Sequence, residues 1–301
     1  MNTLTRRSFI AGAAAATQLR AATLGERLGV ACHINMEETA SRNVLRAARE
    51  AGFTNVQLQF SWVNATDEFL RALPRWLKEE GVVGDVVGAY MNCVSPNNVL
   101  MDCRRRDLIR AIEFAGFIGA HRIVAWTGGY GKGLMTSDPR NSTREAEDAI
   151  CRNLEPYHPR IESARLKLAL ETYITLACPD AESLARLLKR LPKTTVGAVL
   201  DPPNLTPIAR YQQRDKALKQ MFGELGNRIA LVHFKDFRLA PDGASYQLPG
   251  PMKGETNYRL FAEHVAKLPP DVPLIAEHLK PSEFAAARKE LVPVLEAAER
   301  R

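Results

Sequence analysis

Four apolar runs in the second half of the chain each end in a side chain able to hold a divalent metal ion. They are Leu168-Ala169-Leu170-Glu171, Val196-Gly197-Ala198-Val199-Leu200-Asp201, Ile229-Ala230-Leu231-Val232-His233 and Pro273-Leu274-Ile275-Ala276-Glu277. A carboxylate or imidazole where a buried strand stops is costly to desolvate by itself. Any one of these endings reads as a solvated loop residue or a helix cap, but four in series call for a shared compensating charge. One bound cation supplies that charge. Three carboxylates and an imidazole form an oxygen-rich donor set suited to manganese first, with magnesium, cobalt or zinc also admissible, and no thiolate is needed.

The four ends must be carried to one place. Their spacings of 30, 32 and 44 residues each leave room for a strand, a crossover helix and loops. From Leu28 onward, β-like runs alternate with amphipathic helical stretches, with strands expected at 28–34, 56–60, 86–91, 122–126, 167–171, 196–201, 229–233 and 273–277. Helices are expected near 41–51, 67–80, 105–118, 143–163, 180–190, 209–222, 257–267 and 282–299. Gly52 stops the first of these. Eight such units close on themselves as an α/β fold, a (β/α)8 TIM barrel, which leaves no sheet edge. The longest irregular connections, 93–103, 127–141 and 237–255, each follow a strand's C-terminal end and are expected to frame a substrate. Within the last of them, Pro249-Gly250-Pro251-Met252-Lys253-Gly254 is turn-rich and reads either as a closing loop or as a passive surface turn.

With 301 residues, 46% hydrophobic and 25% charged, the chain has the composition of a globular protein that fits one barrel domain. Three of the charges behind its formal +7 are Arg6, Arg7 and Arg20, and the rest form no dense basic run, so nucleic acid is not an expected partner. Thr5-Arg6-Arg7-Ser8-Phe9-Ile10, followed by the small apolar stretch Ala11 to Ala16, resembles a bacterial twin-arginine export signal. The domain reading is therefore a signal over 1–25 and a barrel over 26–301. It implies the twin-arginine export machinery as a partner and a periplasmic or secreted location. No segment is apolar for long enough to anchor the chain in a membrane. The five cysteines are odd in number and lack paired metal-site spacing; most read as buried thiols, with a Cys93–Cys103 bridge as the one pairing considered.

Leu170-Glu171, Leu200-Asp201-Pro202-Pro203-Asn204, Val232-His233-Phe234-Lys235-Asp236 and Ile275-Ala276-Glu277 together give residues 27–300 a resemblance to the sugar phosphate isomerase/epimerase superfamily. Its barrels look like those of xylose isomerase and the ketose 3-epimerases. The resemblance implies that Glu171, Asp201, His233 and Glu277 bind one divalent cation. It also implies proton abstraction beside a carbonyl of a small carbohydrate, through an enediolate whose charge the metal stabilises. Glu171 and Glu277 are the expected catalytic bases and acids, giving epimerisation or aldose–ketose isomerisation.

Asn204 stands where several members of the superfamily carry a His, as a substrate or metal contact or else as a helix cap. Lys235 is expected to meet a substrate oxygen, with Asp236 orienting it, or to form a plain salt bridge. His33, Gln57, Gln59, Asn92 and Trp126 lie near the ends of the first four strands, where they line a sugar pocket or simply pack. Tyr173 and Arg238 are weaker loop candidates, and His278 is left out because strand alternation turns it away. Ketose epimerases carry a second Glu six residues after the first ligand; this chain has Ala177, which turns the reading away from free ketoses. The alternative is a metal-dependent lyase acting on 3-oxo glycosides. An endonuclease acting at abasic sites needs more zinc ligands than His121, His158 and His264 supply, and a sugar-binding module gives no reason for four ligands. A homo-oligomer remains open.

Overall fold

A computed structural model describes residues 22–301, and the expected signal falls almost wholly outside the described residues. A short helix, α1 (Leu24–Arg27), is closed by a capping box on Thr23. Leu24 is buried, and its amide donates to Glu299 Oε1 at 2.6 Å, so the packed body takes in this turn.

The barrel strands are β1 (Leu28–His33), β2 (Asn55–Gln59), β3 (Val83–Asn92), β4 (Arg122–Trp126), β5 (Lys167–Glu171), β6 (Val196–Leu200), β7 (Ile229–Phe234) and β10 (Leu274–Ala276). They close in the order β1-β10-β7-β6-β5-β4-β3-β2, every pair parallel. A two-stranded hairpin, β8 (Arg238–Leu239) with β9 (Tyr246–Gln247), stands in the loop after β7. The eightfold alternation read from the sequence is thus the observed architecture.

Two layers of core hold the barrel. Outward residues such as Val56, Leu58, Ile123, Leu168, Leu170 and Val232 pack against the helices, while Ala31, Val86, Val124, Ala169, Val199 and Ile275 fill the interior. Strand periodicity of two fixes which is which. Gly197 has no side chain where neighbouring strands approach closely: a Cβ there would meet the Ala230 Cβ at 2.6 Å.

The covering helices are α2 (Glu38–Glu50), α3 (Asp67–Glu80), α4 (Arg105–Ile118), α5 (Arg144–Leu154), α6 (His158–Ser163), α7 (Ala181–Leu188), α8 (Pro202–Leu205), α9 (Arg214–Leu225), α10 (Tyr258–Val265) and α11 (Phe284–Glu299). Gly52 ends α2 with φ +91°, as expected. The single helix expected over 143–163 is broken: Pro156 and Pro159 each open a new turn, a 3-10 turn at Glu155–Tyr157 and then α6. Proline has no N–H to continue the preceding ladder but suits the first positions of the next turn. The helix expected from 209 likewise begins as a 3-10 segment, Ile208–Gln213, before α9. All five cysteines are free thiols, so the Cys93–Cys103 pairing is not present. Among the described residues, no helix is long and apolar enough to cross a membrane.

Candidate metal centre

Side-chain parity carries the four expected ligands inward together. Glu171 follows Ala169 on β5, Asp201 follows Val199 past β6, His233 follows Leu231 on β7, and Glu277 follows Ile275 past β10, each two residues on from an interior position. One donor atom from each of the four lies within 4.8 Å of the others. Two donors on opposite sides of an ion at about 2.4 Å are that far apart. All four side chains are buried, His233 completely.

The donor atoms themselves want a partner. Glu171 Oε2, both Asp201 carboxylate oxygens and His233 Nδ1 are buried without a hydrogen bond. Such orphans are expensive in a folded interior, and a cation among them satisfies them at once. The residues therefore fit a divalent ion, and the cluster is one that can hold it.

His233 and Lys235 supply the positive charge that the protein itself contributes. His233 Nδ1 faces Glu277 Oε2 at 3.3 Å, Asp201 Oδ2 at 3.6 Å and Glu171 Oε2 at 3.7 Å. Burial alone would lower its pKa, but the Glu277 and Glu171 charges carry it up to about 10. Lys235, two residues on and inward by the same alternation, reaches 2.7 Å from Asp201 Oδ2 and donates to Glu277 Oε1 at 2.8 Å. The contact with Asp201 is an ion pair off the hydrogen-bonding direction, so that oxygen keeps a free lone pair. Burial opposes ionisation of Glu277, yet His233 and Lys235 outweigh it and hold the carboxyl below its usual range. For Glu171 burial prevails over His233, and its pKa is raised.

Around this centre each ligand is braced. Gln57 Oε1 lies 3.0 Å from His233 Nε2, so the amide oxygen takes the Nε2 proton and leaves Nδ1 facing the carboxylates. Asn204, in α8, donates to Glu171 Oε1 at 2.8 Å. It therefore acts on the first ligand rather than as a helix cap, and its Oδ1 is buried without a partner. Gln57 and Gln59 both donate to the Tyr90 hydroxyl, at 3.0 and 2.9 Å. Tyr90 stacks obliquely on Trp126, with ring centroids 5.1 Å apart.

Some expectations are corrected here. Asp236 does not orient Lys235; it accepts from the amides of Phe237, Gly254 and Thr256 and so ties down the turn-rich loop after β9. Asn92 does not line a sugar pocket, because its amide bridges Asn98 O and Gly129 O and its oxygen takes the amides of Ser95 and Gly129. His278 is exposed and binds Leu248 O, in agreement with its omission. His33, exposed at the end of β1, stands to one side of the ligands, and Arg238 is exposed on the hairpin. Trp126 and Tyr173 are buried, and each keeps an unpartnered polar atom, Nε1 and the hydroxyl.

The three long loops meet above the centre as expected. Leu100, Leu134 and Leu248, one from each, pack on the cluster that holds Tyr90, Trp126 and Tyr173. Tyr90 was legible from alternation, since Val86, Gly88 and Tyr90 share the inward parity of β3; stopping at the polar strand end, Asn92, hides it.

Solved structures of the same architecture are alike over nearly the whole chain. A xylose isomerase-like TIM barrel protein from Mycobacterium smegmatis in complex with magnesium aligns at TM-score 0.67 and 17% identity, over 90% of this chain and 97% of that one. A D-tagatose 3-epimerase-like protein aligns at TM-score 0.66 and 18% identity, over 91% and 98%. The 3-keto-D-glucoside 4-epimerase of E. coli aligns at 0.62 and 14%, over 89% and 98%. No curated protein sequence matches. At these identities the likeness is one of fold. The sequence model for the xylose isomerase-like TIM barrel matches residues 45–297, most of the chain, and the protein belongs to that family.

Proposed function

We propose that this protein is a divalent-metal-dependent sugar isomerase or epimerase that moves a proton beside a carbonyl. The observation that carries the reading is the convergence of Glu171, Asp201, His233 and Glu277, buried and with orphaned donor atoms, at one mouth of the barrel. The epimerases among its structural likenesses support a carbohydrate substrate. A divalent cation, manganese by preference, supplies a Lewis acid for the negative charge that develops on the substrate's oxygens.

The chain's own groups divide the rest of the work. Glu171 and Glu277 stand on strands separated in the barrel by β6 and β7, so they flank the centre from two sides. One removes the proton and the other returns it, or a single carboxylate relocates it. Lys235 places a fixed positive charge beside Glu277 and Asp201, where an enediolate oxygen develops its charge. Trp126 Nε1, a buried donor without a partner, is available to a substrate oxygen. The leucines of the three loops keep water away.

Deuterium incorporation next to the carbonyl of free ketoses and 3-oxo glycosides, followed by NMR on manganese-loaded protein, tests the proposal. Glu171→Gln and Glu277→Gln, checked for metal content, are expected to abolish incorporation; exchange that persists in both rejects the assignment. Ala177, buried and bonded through its amide to Gly128 O, offers no carboxylate where a free ketose would call for one, and Asp180 of the same loop caps α7 instead. That favours 3-oxo glycosides, and release of aglycone in the same assay would mark a lyase instead. We also propose that the Arg6-Arg7 segment directs export; Arg6→Lys with Arg7→Lys should hold the protein in the cytoplasm, and undiminished export would reject it.

A further inference from the structure

Beside the metal centre, at the ends of β1 to β3, lies a cavity of about 490 Å³ whose wall contains none of the four ligands. Tyr90 is the partition. Its hydroxyl takes the amides of Gln57 and Gln59, and Gln57 in turn holds His233, so Tyr90 and Gln57 join the cavity wall to the cluster. The charges of Glu171, Glu277 and Asp201 reach across it and, after burial, add to the upward shift of the Tyr90 pKa.

The cavity's chemistry differs from that of the centre. Phe60, Val99, Leu100 and Met101 give it an apolar side, and Val99 and Met101 are 39% and 40% exposed. No Lys or Arg lines it. Its polar groups are His33, Ser61 and Asp102, beside Gln59 and Tyr90. A phosphate would find no counter-charge and would meet the Asp102 carboxylate, while the Gln59 amide is already given to Tyr90, so the apolar wall is the larger part of what the cavity offers a ligand.

We infer that this cavity is a second subsite that takes an apolar, aromatic aglycone, so that the substrate is a glycoside whose sugar lies at the metal centre and whose substituent lies past Tyr90. The volume is within the range of small-molecule pockets, about 300–1,000 Å³. For the sugar half this rests on the function proposed above; the subsite itself rests on the cavity.

The experiment is calorimetric binding of phenyl and methyl β-D-glucosides, and of a disaccharide, to the manganese-loaded full-length protein. It is repeated on a Val99→Asp/Met101→Asp variant, whose changes fall on exposed side chains. Phenyl is expected to bind tighter than methyl by roughly ten- to a hundredfold, and the variant to lose most of that ratio. Equal affinities, no measurable phenyl binding, a disaccharide that binds tighter than the phenyl glycoside, or a phenyl preference that survives in the variant each overturn the inference. The deuterium-exchange assay is read separately, so loss of exchange with the binding ratio intact would strike the proposed chemistry and leave the subsite standing.

Discussion

Asn204 donates its side-chain amide to Glu171 Oε1 over 2.8 Å, joining the short helix after β6 to the end of β5. The bond fixes which Glu171 oxygen is spoken for and leaves Oε2 turned to the cluster. Groups that brace a ligand in this way are worth about ten- to a hundredfold in metal affinity. Asn204→Ala is therefore expected to weaken manganese binding by that factor while leaving the fold intact, as measured by metal titration and circular dichroism. Unchanged affinity would show that Glu171 is held by packing alone.

Lys235 places a buried ammonium among three carboxylates. Removing one partner of a buried charge network leaves the others uncompensated, at a cost of about 3–5 kcal/mol. Lys235→Met should accordingly lower the unfolding temperature of metal-free protein sharply. Saturating manganese should recover most of the loss, because the cation supplies the charge that the lysine gave. A variant equally destabilised with and without metal would mean that Lys235 and the cation do not share these carboxylates.

The barrel and its four ligands were readable because both depend on local rules. The strand–helix period repeats eight times, and parity places Glu171, Asp201, His233 and Glu277 inward from their own strands. What braces them was not readable in the same way. Gln57 meets His233 across 176 residues of chain, and no pattern near either residue announces the pairing. Asn92 misled for the opposite reason: a polar residue at a strand end reads as a pocket residue, yet its bonds all go to loop backbone. Asp236 next to Lys235 misled in the same way, since adjacent strand residues face opposite sides.

The His233–Gln57 contact sets a tautomer, and that can be tested. An amide oxygen accepts from Nε2–H, so Nδ1 is the nitrogen left for a cation. Gln57→Leu is expected to weaken metal binding by about ten- to a hundredfold, whereas Gln57→Glu keeps an acceptor and should hold affinity. Nitrogen-15 NMR of the zinc-loaded protein should show Nδ1 bound and Nε2 protonated. A zinc-bound Nε2 would place the ring the other way round.

Glu80 offers a prediction about acid stability away from the site. It is buried in α3 and takes hydrogen bonds from Arg42 Nε at 2.7 Å and Arg46 Nη2 at 2.9 Å, both on α2. Burial raises its pKa, but the bonds from Arg42 and Arg46 outweigh burial and hold it below the ordinary 4.5. A carboxylate whose folded pKa is depressed contributes stability above its unfolded value and loses it as pH falls through the folded one. Glu80→Gln should therefore cost about 1–2 kcal/mol at pH 7, the arginines being partly hydrated. Urea melts of wild type and variant should draw together below about pH 4. A gap that stays constant from pH 7 into that range would show that Glu80 contributes by packing, since lost packing has no proton to couple to.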